Sequence, residues 1–170
     1  IEVGLGSGAA SAALLRAVGP SGSVVSHEIR EDIIPHSRHN ISQLAPDADN
    51  HHVIVGDAYA NGIGEGPADC VVVDVPEPWR LLDSATHALR TGGVFAAYLP
   101  TVLQSHELTM RLARDPHWHL AESIELLERT WHFSETSARP NHRMVGHTGF
   151  ITTVRRCEPP PGSPGENQIE

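Results

Sequence analysis

Glu2-Val3-Gly4-Leu5-Gly6-Ser7-Gly8-Ala9 opens the chain, and its reading decides the fold. Apolar Ile1 and Val3 end a strand, glycines follow at 4, 6 and 8, and an alanine-rich run begins. Glycine permits a tight turn with positive φ and lets a ligand come close to the backbone. The amides of Ser7, Gly8, Ala9 and Ala10 then open a helix and present unpaired N–H groups to an electronegative ligand. The loop fits a nucleoside cofactor. It equally fits the G-x-G-x-x-G/A dinucleotide pattern, and a plain structural turn is a third reading.

Strands and helices alternate outward from this loop. A helix is expected over Ala9–Val18, stopped by Gly19-Pro20. Strand Ser23–His27, helix Asp32–Leu44 with Pro35 in its first turn, and strand His52–Val55 follow. Ala45–Asn50 reads as a polar turn and Gly62–Pro67 as a loop. Ala68–Val73 is a continuous apolar run, as a strand buried on both faces requires. Helix Trp79–Leu89, strand Val94–Leu99, helix Leu103–Arg114 and strands Trp118–Leu127 and Phe150–Val154 complete the pattern. Regular alternation predicts an α/β fold with a mostly parallel sheet and helices on both faces. Residues 1–156 form the expected domain. The Pro/Gly-rich stretch 157–170 is expected to be a tail without a core.

The chain has 170 residues, enough for one substantial core, and begins at Ile1 inside a strand. The expectation is a piece lacking an N-terminal part of its natural protein. No apolar run approaches the roughly 20 residues that span a bilayer, so no membrane partner is expected. Cys70 and Cys157 form no CxxC pair, a pattern compatible with a reducing cytoplasm. Among 12 histidines, neither His51-His52 nor His117-Trp118-His119 has the spacing of a zinc hydrolase helix, so no metal site is expected. The net charge of −9 argues against indiscriminate nucleic-acid binding. Residues 139–156 run the other way, with four arginines, two histidines and no acid. They read either as a solvated surface or as a local phosphate contact.

In a parallel sheet, ligands bind at the carboxyl ends of the strands. Acids stand there after strands two, three and four. Glu28 can accept both hydroxyls of a ribose, for NAD as well as for other nucleosides. Asp57, in Gly56-Asp57-Ala58, can accept from an adenine amino group. Asp74 begins Asp74-Val75-Pro76-Glu77-Pro78-Trp79, where paired prolines stiffen the chain beside a flat substrate.

At this point the sequence resembles a family. Asp74–Trp79 is similar to the signature of the tRNA (adenine-N1) methyltransferases that modify the T-loop, at tRNA position 58. Arg139-Pro140-Asn141-His142-Arg143-Met144-Val145-Gly146-His147-Thr148-Gly149-Phe150 resembles that family's late motif. Glu2–Gly8, Glu28-Ile29-Arg30 with Asp32, and Tyr98-Leu99-Pro100-Thr101-Val102-Leu103-Gln104 follow it too. The resemblance implies a Rossmann-like class I methyltransferase with seven strands, the last antiparallel. It implies S-adenosylmethionine as cofactor, S-adenosylhomocysteine as product and tRNA as substrate. Cofactor contacts would come from Gly4, Gly6, Ser7, Gly8, Ala9, Ala10, Glu28, Ile33, Asp57 and Asp74. Asp74 and Tyr98 would be catalytic, and Pro76, Trp79, Arg139, His142 and Arg143 would lie toward the tRNA. The family carries an N-terminal β-domain, which this stretch of sequence is expected to lack, and works as a homotetramer. His27 stands where the family usually has an aromatic residue. Rival readings are a small-molecule methyltransferase on the same fold, a cofactor-less RNA-binding subunit, and an NAD-dependent dehydrogenase.

Overall fold

The computed structural model describes residues 1–47, 49–64 and 66–160. The helix over Ala9–Val18 (α1) starts at Gly8, whose φ of +83° suits glycine, and stops at Gly19. The second helix, Ile34–Leu44 (α2), is preceded by a 3₁₀ turn at Glu31–Ile33, because Pro35 is confined to the first helical turn. Strands Glu2–Val3 (β1), Val24–Glu28 (β2), His51–Val55 (β3) and Ala68–Val73 (β4) lie parallel in the order β3-β2-β1-β4.

The segment expected to be one helix from Trp79 divides. Pro78–Leu81 is a 3₁₀ turn, Leu82–Ala88 is helical, and Leu89 already begins the next strand. Gly92 and Gly93, between the expected helix and the expected strand, lie inside that strand instead. A four-residue helix, Ala58–Asn61 (α3), follows β3, so Leu82–Ala88 is α4. Strand Leu89–Leu99 (β5) leads to Val102–Leu112 (α5), then strand Trp118–Glu125 (β6). Two short strands, Trp131–Ser134 (β7) and Ser137–Pro140 (β8), form a separate hairpin that the sequence pattern does not announce. The last strand, Phe150–Arg156 (β9), is antiparallel and inserts between β5 and β6. The full order is β3-β2-β1-β4-β5-β9-β6.

Alternation along β1 separates two cores. The Glu2 side chain reaches Ser11 of α1, while Val3, one residue on, belongs to the opposite cluster. On the α1–α2 side, Leu5, Leu15, Val24, Ile34 and Ile41 pack together. On the other side Val71, Val73, Phe95, Leu99, Leu108 and Leu112 form the larger core, with Trp118 edge-on to Phe95 at 5.7 Å. At the C-terminal end, the Cys157 amide bonds the His117 carbonyl and Glu158 accepts from Thr91. The rest of the expected tail, residues 161–170, lies outside the described residues, as do Ala48 and Glu65 of the expected turn and loop.

Candidate functional site

The neighbours of β1 are β2 on one side and β4 on the other, so the chain reverses its direction of winding at β1. The crevice this opens at the strands' carboxyl ends is where the glycine loop sits. Gly4 (φ +98°) lies so near the next loop that a Cβ would come within 2.5 Å of the Asp74 carbonyl. Gly8 is pressed equally close to α2, where a Cβ would meet the Ser37 carbonyl at 2.7 Å. Ser37 donates its hydroxyl to the Gly6 carbonyl at 2.5 Å, and Asn40 donates to the Ser7 carbonyl at 3.0 Å. The loop is therefore held from behind. Ser7, Ala9 and Ala10 are left exposed at the open end of α1.

Glu28 ends β2 and is only 7% exposed. One carboxylate oxygen accepts the Gly6 amide at 3.2 Å and the other the Arg30 amide at 2.9 Å. Each oxygen retains a lone pair for a further donor. His27 is buried beside it, and burial lowers its pKa, so its ring is neutral at pH 7.

Asp57 caps α3, accepting the Tyr59 amide at 2.8 Å on one oxygen. Asp74 stands at the end of β4 with its carboxyl outward. Among the described residues it makes no side-chain hydrogen bond or ion pair, and partial burial raises its pKa. Three elements brace the loop that follows. Tyr59 of α3 accepts the Glu77 amide at 3.0 Å, Gln104 of α5 donates to the Pro76 carbonyl at 3.1 Å, and Arg80 bonds Glu77. Arg80 also lies over the Tyr59 ring at 4.3 Å.

Val3, Gly4, His27, Glu28, Ile29, Gly56, Asp57, Ala58, Tyr59, Val75 and Pro76 line a cavity of about 190 Å³ between these loops. It gathers Gly4, Glu28, Asp57 and Pro76 of the expected residues. Ile33 is half-buried beside α2, outside that lining. Trp79 packs half-buried against the larger core with Arg111 over its ring at 5.9 Å, which is a packing position. Tyr98 ends β5, half exposed, and donates to the Thr148 carbonyl at 2.5 Å. Arg139 lies on β8 opposite His132, and His142 and Arg143 are exposed beyond it. None of the three is in an ion pair among the described residues. No cluster of metal-ligating side chains occurs among the described residues, and no helix there is long and apolar enough to cross a membrane.

Sequence reasoning misses Ser37, Asn40, Tyr59 and Gln104. Ser37 and Asn40, three apart on α2, share the face that supports the loop, a spacing visible only once α2 is known to pack there. Gln104 lies within the family-like stretch Tyr98–Gln104, but its partner is 28 residues away.

Residues 1–137 match the family described as the tRNA methyltransferase complex GCD14 subunit. A tRNA (adenine(57)-N(1)/adenine(58)-N(1))-methyltransferase of Methanocaldococcus jannaschii is 30% identical, over 91% of this chain and 63% of that protein. A tRNA (adenine(58)-N(1))-methyltransferase of Thermus thermophilus is 33% identical, over 92% of this chain and 60% of that protein. The chain thus spans about three-fifths of the length of these curated relatives. Among solved structures, a SAM-dependent O-methyltransferase of Thermotoga maritima superposes with a TM-score of 0.83 at 33% identity, covering 92% of this chain and 59% of that one. The tRNA (m1A58) methyltransferase of Aquifex aeolicus gives 0.78 at 26% identity, covering 92% and 62%. With the glycine loop, the acids after β2, β3 and β4 and the antiparallel last strand all in place, the chain belongs to the tRNA methyltransferase complex GCD14 subunit family.

Proposed function

We propose that this chain is the catalytic part of an S-adenosylmethionine-dependent enzyme that methylates N1 of a T-loop adenine in tRNA. The observation that carries the reading is the junction of Gly4 with Asp74, which sets the cleft directly beside an acid that makes no side-chain hydrogen bond or ion pair among the described residues. The residues fit the cofactor. Glu28 is held by the Gly6 and Arg30 amides and would take the ribose hydroxyls, Asp57 keeps one oxygen that would take an adenine amino group, and the open amides of Ser7, Ala9 and Ala10 would hold the methionine end. Gly6 and Gly8 keep the loop low, and Ile33, in the turn before α2, would lie near the ribose.

When bound, the cofactor would supply an electrophilic methyl group on a sulfonium, with a neutral thioether as the leaving group and the N1 lone pair of the base as the nucleophile. Adenine N1 is neutral, so no strong base is needed, and alignment is the chain's main task, contributing roughly 7–11 kcal/mol. Asp74 accepts from the exocyclic amino group, orients the ring and offsets the positive charge that develops on it. The prolines around Pro76 and the braces from Tyr59 and Gln104 keep that carboxylate in place. The target base is extruded from the folded tRNA at a cost of a few kcal/mol. Tyr98 stacks on it, worth about 1–3 kcal/mol. Trp79 holds the loop from beneath, and Arg139, His142 and Arg143 contact phosphates.

The reading includes a homotetramer in the cytoplasm, in keeping with the family it resembles and with two free cysteines. Sedimentation tests the assembly. The function is tested by two measurements. Calorimetry with S-adenosylhomocysteine should show binding, and incubation with labelled cofactor and bulk unmodified tRNA should label the tRNA. Binding without labelling would point to a small-molecule methyltransferase, and no binding to a cofactor-less RNA-binding subunit.

A further inference from the structure

Tyr98 is held by a segment that lies about 50 residues further along the chain. Its hydroxyl donates to the Thr148 carbonyl. Gly149 (φ +143°) lies close against the hydroxyl end of the ring, where a Cβ would come within 2.5 Å of the phenol oxygen and 2.6 Å of two ring carbons. Only glycine fits there. Thr148 also donates its hydroxyl to the Leu126 carbonyl at 2.8 Å. His147 secures the other end. Its Nδ1 is 2.7 Å from a Glu125 carboxylate oxygen, and its Nε2 is 2.6 Å from the Pro100 carbonyl.

Both of those oxygens can only accept. A neutral imidazole has a single N–H and satisfies one of them, so the two contacts coexist only when the ring carries both protons. The charged group facing the ring is Glu125 from β6. The end of β5 presents the Pro100 carbonyl, and β9 presents the Phe150 ring at 5.4 Å. The Glu125 and Pro100 contacts raise the pKa of His147 above the usual histidine value.

We propose that His147 is a positioning residue: its doubly protonated ring clasps the ends of β5 and β6 together and so fixes the direction of the Tyr98 ring. Loss of one proton releases one of the two hydrogen bonds. The segment 147–149 then loosens, and with it the carbonyl on which Tyr98 rests. The consequence for turnover rests on the proposed function, because it needs Tyr98 against the target base. The clasp itself does not.

Tyr59 and Tyr98 are the chain's two tyrosines. Tyrosine labelled with ¹³C at the ring carbon bearing the hydroxyl therefore gives two resonances, assigned with Tyr98→Phe. Between about pH 5.5 and 9, below phenol ionisation, the Tyr98 resonance should shift in step with the His147 ring and the Tyr59 resonance should not. His147→Ala should abolish that inflection. Glu125→Gln should move it down by about one pH unit, since an opposing charge is removed. On tRNA, His147→Ala should lower kcat about tenfold through misplacement of Tyr98, with S-adenosylhomocysteine affinity within about twofold. A Tyr98 resonance that is flat across this range, or an inflection that survives His147→Ala, overturns the clasp. Should His147→Ala misfold, an inflection unmoved in Glu125→Gln overturns it alone. The expected shifts in a protein that leaves tRNA unmethylated would support the clasp and contradict the proposed function.

Discussion

The carboxylate of Glu28 accepts the amide of Gly6 at 3.2 Å, so the residue proposed to bind the cofactor ribose also fastens the glycine loop to β2. Glu28→Gln keeps the size but sets an amide group against the Gly6 and Arg30 amides. Hydrogen bonds to charged groups are worth about 1.5–3 kcal/mol. The variant should bind S-adenosylhomocysteine roughly ten- to a hundredfold more weakly and melt earlier, by calorimetry. A loss of affinity with an unchanged melting temperature would mean that the Gly6 hydrogen bond does not support the loop.

The glycines of the loop should not be equivalent. Alanine at Gly4 drives its Cβ into the Asp74 carbonyl, whereas a Cβ at Gly6 meets nothing within 4 Å. Gly6→Ala should cost only the strain of a positive φ, on the order of 1 kcal/mol. Gly4→Ala should cost that plus overpacking of roughly 1–3 kcal/mol, because two backbones must separate. Urea unfolding of the two variants compares them directly. Equal losses would contradict the close junction of β1 and β4.

Acid should weaken the fold partly through His27. Burial lowers its folded pKa below the ordinary histidine value, so the unfolded chain takes up a proton first as pH falls below about 6.5. The stability from the neutral ring is full above that value and is lost as pH drops toward the folded pKa. His51 is lowered in the same sense by burial. Glu2, raised by burial, works in the opposite sense, so comparison with a single variant isolates His27. His27→Phe should lose less stability than the parent between pH 7.5 and 5.5 in urea titrations. Parallel losses would show that His27 is solvated.

Much of this architecture is legible in the sequence because it rests on local chemistry. Glycines with an alanine run, a proline in a first helical turn and an apolar run at Ala68–Val73 each determine their own element. The acids Glu28, Asp57 and Asp74 are placed by strand ends alone. What escapes such a reading is long-range or irregular. Trp79 has a helical pattern around it, but Pro78 starts a 3₁₀ turn and Leu89 pairs with Ala68 in the sheet. The position of β9 between β5 and β6 depends on partners that periodicity does not name. The β7–β8 hairpin buries little, with Trp131 52% and Phe133 73% exposed, so no alternation of buried and polar residues marks it. The supports of the site, Ser37, Tyr59, Gln104 and His147, act through backbone atoms far along the chain. No spacing rule finds such partners.

Positive charge near the hairpin should carry part of the tRNA affinity. Arg139→Ala combined with Arg143→Ala should weaken tRNA binding, and the slope of log affinity against log salt should become shallower by up to about two, one for each phosphate no longer neutralised. Filter binding across a salt series measures both. An identical slope would remove these arginines from the RNA interface.

The role proposed for Asp74, beside the cofactor cleft, is to orient an adenine for methylation at N1. Its most direct measurement is nucleoside mass spectrometry of unmodified tRNA incubated with the protein and deuteromethyl-labelled S-adenosylmethionine. Deuterated 1-methyladenosine should form with the parent protein. With Asp74→Ala it should fall by at least about a hundredfold, while S-adenosylhomocysteine binding falls far less. No 1-methyladenosine from the parent protein, or an undiminished yield from Asp74→Ala, would rule out that role.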